Sequence, residues 1–304
     1  KKKNNLFKYY FEKSMVKILL LGAISGFPWV IIGSSLSLWL KEEGLSRSTI
    51  GWAGLIFAVY AFNYLWAPLI DRIYIPFLTK RIGHRKSWIF LMQLIILSCL
   101  LFWNFADPVN NLSLIIGIGL VIAIASATQD ITVDALRIEQ IRVDEKEAMS
   151  AGAAVAVVGW WTGYKLGGAI SLNLAEYLQN LGFENYWKLT FVGLGVIVVL
   201  FNLGILFIKE KSFKEKKDIQ ENLDNKILKK INGKNIFFRL VAWVSSTIAG
   251  PLISFFKKNS FSIAIGILSF IFLFKIGEAF LGRMSVIFYK EIGFSKSDIA
   301  LYSK

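Results

Sequence analysis

The sequence predicts an all-α membrane protein, and three observations lead to this fold class. Apolar residues make up 55% of the 304-residue chain, and its mean hydropathy is +0.54. A soluble protein of this length could not bury so many apolar residues in its core. Several runs of about 20 residues carry few or no charges, which is the length that a helix needs to cross a bilayer. The basic residues cluster between those runs. These observations exclude a soluble globular, disordered or collagenous protein.

Seven apolar runs are long enough to form spanning helices. A transmembrane β-barrel would instead show alternating segments of about 10 residues. The first run follows several lysines, as in a signal peptide, but it is too long and lacks a small-residue cleavage site, so we expect a retained helix. The predicted spans are 15–40, 50–70, 87–106, 113–136, 148–175, 186–208 and 261–289.

The distribution of basic residues predicts the orientation. With the N-terminus in the cytoplasm, the inner loops hold 26 Lys and Arg residues and the outer loops hold 6. Such an excess is typical of cytoplasmic loops and would place the end of this chain on the outer side. The net charge of +14 is then explained by orientation in a lipid bilayer, so we expect no nucleic-acid partner.

The chain divides into three predicted parts. Residues 1–208 form a six-helix transmembrane half, 209–260 a cytoplasmic linker, and 261–304 a seventh span with an outer loop. Within the linker, 236–256 reads as an amphipathic helix on the membrane surface, with an eighth span as the alternative. The single Cys99 and single His84 leave no thiolate cluster and no histidine-based triad, so we expect neither a metal site nor an enzyme.

The end of the chain repeats a segment from its beginning. Residues 41–50 and 290–299, which follow the first and seventh spans, share six of ten residues in the same order. We interpret this match as an internal repeat, in which spans one to six form one half and span seven opens the second. On this interpretation about five spans are absent, and the chain would need a partner chain that supplies the rest, or would be incompetent for transport.

Ionisable residues inside spans are the candidates for proton coupling, because each is costly there unless it is paired or hydrated. Asp130 and Asp134 lie four residues apart in span four, and Glu278 lies in span seven. Two carboxyl groups on one helix face can take up and release a proton. For Asp134 we prefer a simple pairing with Arg137 or Arg72 near the helix end.

The candidates for substrate binding are amide, cationic and aromatic residues within the spans. A cation can bind the carboxylate of an anionic substrate, or it can neutralise a buried acid. Aromatic faces can stack on sugar rings, although packing in the core is the commoner role of aromatic residues. For Arg283, extension of the side chain to the outer interface is an equally good interpretation. The candidates are Gln129, Lys165, Lys275, Trp29, Trp160 and Trp161.

The loop between spans two and three carries an acid followed by a glycine and a basic cluster. Such a loop can hold neighbouring helices together and act as a gate. We expect the lone His84 to be solvated in this cluster. The gating candidates are Asp71, Arg72, Gly83, Arg85 and Lys86.

Several motifs together resemble the AmpG-type muropeptide permeases of the major facilitator superfamily. They are Ser25-Gly26-Phe27-Pro28, the segment 65–72, Ala127-Thr128-Gln129-Asp130 with the residues to Ala135, Gly250-Pro251-Leu252, and 274–279. The resemblance implies the superfamily fold, with a complete N-terminal half and the first helix of the second. The chain departs from the family at Trp160-Trp161 and at Lys165.

This resemblance implies a proton-driven importer of peptidoglycan fragments in the bacterial inner membrane, with the proton gradient in place of a cofactor. Asp130, with Glu278 as a second candidate, would bind the proton while an anionic glycopeptide binds near Lys165 and Lys275. A related carrier for another anionic solute, such as acetyl-CoA, is the alternative.

Overall fold

The computed structural model describes residues 7–141, 146–210 and 250–304. These ranges contain seven long helices, and each holds most or all of one predicted span. Short helices at Phe7–Tyr10, Ala67–Arg72, Leu78–Ile82, Gly250–Lys258 and Lys296–Tyr302 accompany them. The long helices are α1 (Lys13–Glu42), α2 (Arg47–Leu65), α3 (His84–Phe105), α4 (Leu112–Glu139), α5 (Lys146–Asn180), α6 (Tyr186–Leu206) and α7 (Phe261–Glu291).

Five of these helices, α1 to α4 and α6, are long and apolar enough to cross a membrane. The 35-residue α5 is the longest but less apolar, and α7 has a continuous apolar stretch at Phe261–Phe274. The predicted linker falls mostly on 211–249, outside the described residues. The last part of its predicted amphipathic segment belongs to the helix Gly250–Lys258.

Glycines bring α1 and α5 into backbone contact. A Cβ atom on Gly22 or Gly26 of α1 would overlap backbone atoms of α5, and one on Gly159 or Gly163 of α5 would overlap α1. Without these side chains the two helices can approach more closely than larger residues allow. This contact fixes the position of the α5 aromatic residues against α1.

The largest apolar core of the described residues contains side chains from all seven long helices, and three of its aromatic rings lie between α1, α3 and α6. Trp39, Trp103 and Phe191 are at most 1% exposed, and their rings lie 4.7 to 6.0 Å apart. In the middle of α1 the segment Ile31–Ser35 is a buried π-helical turn. Such a turn often marks a functional position in a helix.

The two repeated segments have the same local structure, as the internal repeat predicts. Gly44 and Gly293 both have positive φ angles, 85° and 103°, which favour glycine, where α1 and α7 end. Ser46 and Ser295 then cap the next helix through side-chain hydrogen bonds to backbone N–H groups.

Ion pairs join the two repeated segments in a crossed pattern. The second residue of each segment is a glutamate that pairs with two basic residues of the other segment, and the paired positions are equivalent in the repeat. Glu42 pairs with Lys290 and Lys296, at 3.1 and 2.9 Å, and Glu291 pairs with Lys41, at 2.5 Å, and with Arg47.

Candidate functional site

A polar site lies where α4 crosses α1. The Ser25 hydroxyl donates a 2.6 Å hydrogen bond to the Asp130 carboxylate, which is half-buried. The neighbouring Gln129 is fully buried and donates through Nε2 to the Ile24 carbonyl oxygen at 2.8 Å. Its Oε1 accepts no hydrogen bond from the described residues. Asp130 and Gln129, both predicted site residues, therefore face α1.

Tyr60 of α2 connects this polar site to an aromatic cluster. Its buried side chain interacts electrostatically with Asp130 and lies near the buried Ser126. The Tyr60 and Trp29 rings are 4.7 Å apart, and Phe57 and Trp160 contact Trp29 at 4.7 and 5.6 Å. The predicted residues Trp29 and Trp160 thus lie together in this cluster, between α1, α2 and α5.

Cavities flank α2 on two sides of this cluster. A cavity of about 430 Å³ between α2, α7 and the helix Gly250–Lys258 is lined by Tyr60, Tyr64 and mostly apolar residues. A second, of about 530 Å³, is lined by residues of α2 and α4 that include Thr128, which accepts a 3.1 Å hydrogen bond from Trp66. The site therefore borders open space on the α2 side.

Trp161 and Lys165 lie further along α5. Trp161 is 47% exposed, and the Lys165 Nζ lies 5.5 Å from the centre of its ring. The same Nζ donates a 3.1 Å hydrogen bond to the Ser303 carbonyl oxygen. Lys165 therefore contacts the end of the chain that follows α7, and no described carboxylate pairs with it.

The remaining ionisable candidates have different surroundings. Asp134 is 70% exposed and pairs with Arg137 at 3.1 Å, which is the simple interpretation given for it above. The side chains of Lys275 and Glu278 lie outside the described residues, although both positions belong to α7. Arg283 does not extend to an interface: it is 5% exposed and packed against α1 and α2, so that interpretation was wrong.

The loop motif forms a cluster of ion pairs at the opposite end of the molecule from Glu42. Arg85 lies 3.3 Å from Asp71 and donates through Nε to Glu139 at 2.8 Å. It thereby joins the helix after α2 to the first turn of α3 and the last turn of α4. Arg72 is half-buried beside Asp71. Glu139 was not predicted, because it lies 54 residues away from Arg85 in the sequence.

Glu210 caps the first turn of α3. Its carboxylate accepts hydrogen bonds from the backbone N–H groups of Arg85 and Lys86, at 2.8 and 3.1 Å. Gly83 leaves space for it, because a Cβ there would overlap the carboxylate. Burial raises the pKa of Glu210, although the two N–H bonds act in the opposite direction.

His84 is buried and not solvated, contrary to the expectation. It is 4% exposed, and its Nε2 lies 2.9 Å from the Ile70 carbonyl oxygen. The ring of Tyr74 packs against it at 5.5 Å. The histidine packs between α3 and the helix Ala67–Arg72. The basic residues next to it in the sequence do not reveal this contact.

The fold and site define a multi-pass helical membrane protein whose polar and aromatic site lies between packed helices, an arrangement suited to transport. Comparison with known families gives the same class: residues 18–303 match the Major Facilitator Superfamily, and the chain belongs to this family. Membership of this family agrees with the interpretation of the sequence as a transporter rather than an enzyme.

Two curated relatives are of the AmpG type that the motifs indicated. A Rickettsia conorii protein provisionally named transporter AmpG 4 is 33% identical over 98% of this chain and 64% of its own length. The anhydromuropeptide permease of Escherichia coli K12 is 27% identical over 94% of this chain and 51% of its own length. The chain thus spans about half to two thirds of the length of these relatives.

Proposed function

We propose that the protein is a proton-coupled transporter that imports anhydromuropeptides across the bacterial inner membrane for cell-wall recycling. The similarity to an anhydromuropeptide permease supports this substrate class. The basic loops support an orientation with the N-terminus in the cytoplasm. The observation that carries the proposal is the hydrogen bond between Ser25 and Asp130, which joins α1 to α4.

Asp130 is suited to couple a proton to movement of α1 against α4. A hydrogen bond to a carboxylate is roughly twice as strong as one to a neutral acceptor. Protonation of Asp130 therefore weakens its bond to Ser25 and removes a charge from the membrane interior, where an exposed charge is costly. The contact between the two helices then depends on the protonation of one group.

The aromatic cluster provides the surface for the sugar part of the substrate. Trp29 is buried behind Trp160, whose ring contacts it at 5.6 Å, and the half-exposed Trp161 continues the row along α5. The accessible ring faces are those of Trp160 and Trp161. Gln129 Oε1, next to Asp130 in the chain, accepts no hydrogen bond from a residue that the structure describes. Binding the sugar next to Asp130 would link substrate binding to the proton.

The test is uptake of labelled anhydromuropeptide into vesicles that contain the protein. We expect Asp130→Asn to abolish accumulation driven by an inward proton gradient, because asparagine cannot take up the proton. Exchange of labelled for unlabelled substrate, which needs no net proton movement, is expected to remain. This split between the two assays distinguishes lost coupling from lost folding or lost binding.

Asp107→Asn is the matched control, because Asp107 lies exposed in the loop between α3 and α4. It should behave as the wild type in both assays. Gradient-driven accumulation that is unchanged by Asp130→Asn would overturn the assigned role of Asp130. Absence of anhydromuropeptide uptake by the wild type would overturn the substrate class.

A further inference from the structure

Arg283 is a buried cation of α7, at the contact between α7 and the six-helix half. It is 5% exposed and lies between α1 and α2. Its Nε donates a 3.1 Å hydrogen bond to the Ser37 hydroxyl of α1, and its guanidinium carbon lies 5.3 Å from the centre of the Phe57 ring of α2. These contacts fix the position and plane of the guanidinium.

The outer nitrogens of this guanidinium have no partner in the described part of the chain. Both Nη1 and Nη2 are buried, and neither donates a hydrogen bond to a described residue. Arginine keeps its charge in proteins, and a buried charge is costly unless it is paired. The Phe57 ring face and the Ser37 hydroxyl satisfy only part of the hydrogen-bonding capacity of the guanidinium. An anion could therefore bind to its outer nitrogens and neutralise its charge.

The local structure of α2 is adapted to this arginine. Nη1 packs directly on Gly54, where any Cβ atom would overlap it. Gly54 begins the 3₁₀ segment Gly54–Ala58, which also presents Phe57 to the guanidinium. The side chain is therefore held by a specific backbone approach, which a cation that merely extends toward water would not need.

The aromatic cluster connects Arg283 to the proposed substrate site. Phe57, which contacts the guanidinium, also contacts Trp29 and Tyr60, with ring centres 4.7 and 5.9 Å away. Tyr60 in turn interacts with Asp130. The cation and the carboxylate thus lie at opposite ends of one row of rings. The cation lies where α7, the first helix of the second half, contacts α1 and α2, and the two halves move against each other in an alternating-access carrier.

We propose that Arg283 binds a carboxylate of the transported ligand through Nη1 and Nη2, with Ser37 as the residue that positions it. A guanidinium presents two parallel N–H groups that match a carboxylate in geometry and charge. This inference rests on the proposed function and adds to it the group that recognises the acidic, peptide part of the substrate.

The first test compares uptake of an anhydromuropeptide with uptake of the same compound in which every carboxylate is amidated. Arg283→Gln should reduce uptake of the acid at least tenfold and leave the slower uptake of the amide unchanged. Arg283→Lys keeps the charge but not the paired N–H groups, so its uptake of the acid should lie between that of the wild type and that of Arg283→Gln. Arg81→Gln removes an exposed arginine and should match the wild type.

The outcomes separate this inference from the proposed function. Equal losses for acid and amide would mean that Arg283 pairs with a carboxylate of the protein, and this result would overturn the inference while the substrate class stands. Unchanged uptake of the acid by Arg283→Gln would overturn it too. If the wild type transports neither compound, the proposed function fails, and a binding measurement decides about Arg283.

That measurement uses a small probe in place of the substrate. N-acetyl-alanyl-alanine should raise the midpoint of thermal unfolding of the purified wild type more than its C-terminal amide does, at equal concentration and ionic strength. Arg283→Gln should abolish the difference between the two probes. The same difference in the variant, or none in the wild type, would overturn carboxylate binding at Arg283.

Discussion

At the scale of single residues, Glu210 gives the protein a predicted dependence on pH. Burial raises the pKa of Glu210 above its usual value of 4.5, so the folded protein binds this proton at a higher pH than the unfolded chain does. Linkage then requires the contribution of Glu210 to stability to rise as the pH falls from neutral toward 4.5. Glu210→Gln keeps one acceptor for the N–H groups of α3 and removes the titration.

The measurement is thermal unfolding in detergent between pH 7 and about pH 5, the range in which linkage applies to a raised carboxyl pKa. The midpoint of the wild type relative to Glu210→Gln should rise as the pH falls. Asp107→Asn is a flat control, because backbone N–H bonds lower the pKa of Asp107 and keep it ionised over this range. A constant difference between wild type and Glu210→Gln would contradict the prediction.

The candidate residues that the sequence marks most clearly are those whose chemistry conflicts with their surroundings in the chain. Asp130 stands out because it interrupts an apolar run, and the structure places it against α1. Glu210 was missed because it bonds to residues about 125 positions away. Arg283 and His84 were misjudged because burial depends on which helix packs against each face, and one helix does not contain that information.

At the scale of helices, the contact between α1 and α5 should tolerate no side chain at Gly26. A Cβ there would overlap the carbonyl oxygen of Trp160. We expect Gly26→Ala to destabilise the protein by about 1–3 kcal/mol, as overpacking does. Gly117→Ala on α4, where the space is open, should be neutral or stabilising by up to about 1 kcal/mol. Equal unfolding midpoints in detergent for both variants would refute the close packing.

Hydropathy located the seven helices but not their ends. The predicted spans 15–40 and 148–175 lie inside α1 and α5, because hydrogen bonding continues beyond the apolar stretch. The predicted span 50–70 is broken after Leu65, and a new helix begins at Ala67 with Pro68 in its first turn, where proline is favoured. The apolar pattern marks the part of a helix that faces lipid or core, and local backbone chemistry decides where the helix stops.

At the scale of the whole molecule, the crossed ion pairs join the two repeated segments, 41–50 and 290–299. The paired residues are equivalent in sequence but lie in different environments. Lys296 is 2% exposed; it bonds to Glu42 and Gln179 and lies 4.8 Å from the Tyr186 ring centre. Its counterpart Arg47, which pairs with Glu291, has 64% of its side chain exposed. The repeat in the sequence predicts that the ion pairs are symmetric. Only the structure shows that they differ in burial, because α5 and α6 pack around Lys296 and not around Arg47.

This difference predicts unequal energies for equivalent substitutions. Lys296→Gln removes one of the two cations that pair with the largely buried Glu42, so it should lower the free energy of unfolding by about 1.5–3 kcal/mol, as the loss of a hydrogen bond to a charged group does. Arg47→Gln breaks an exposed pair and should cost less than about 1 kcal/mol. Adding Glu42→Gln to Lys296→Gln should recover part of the loss, because it removes the largely buried carboxylate that has lost one of its two cations. Chemical unfolding in detergent measures all three, and equal losses for Lys296→Gln and Arg47→Gln would show that burial does not set the strength of this link.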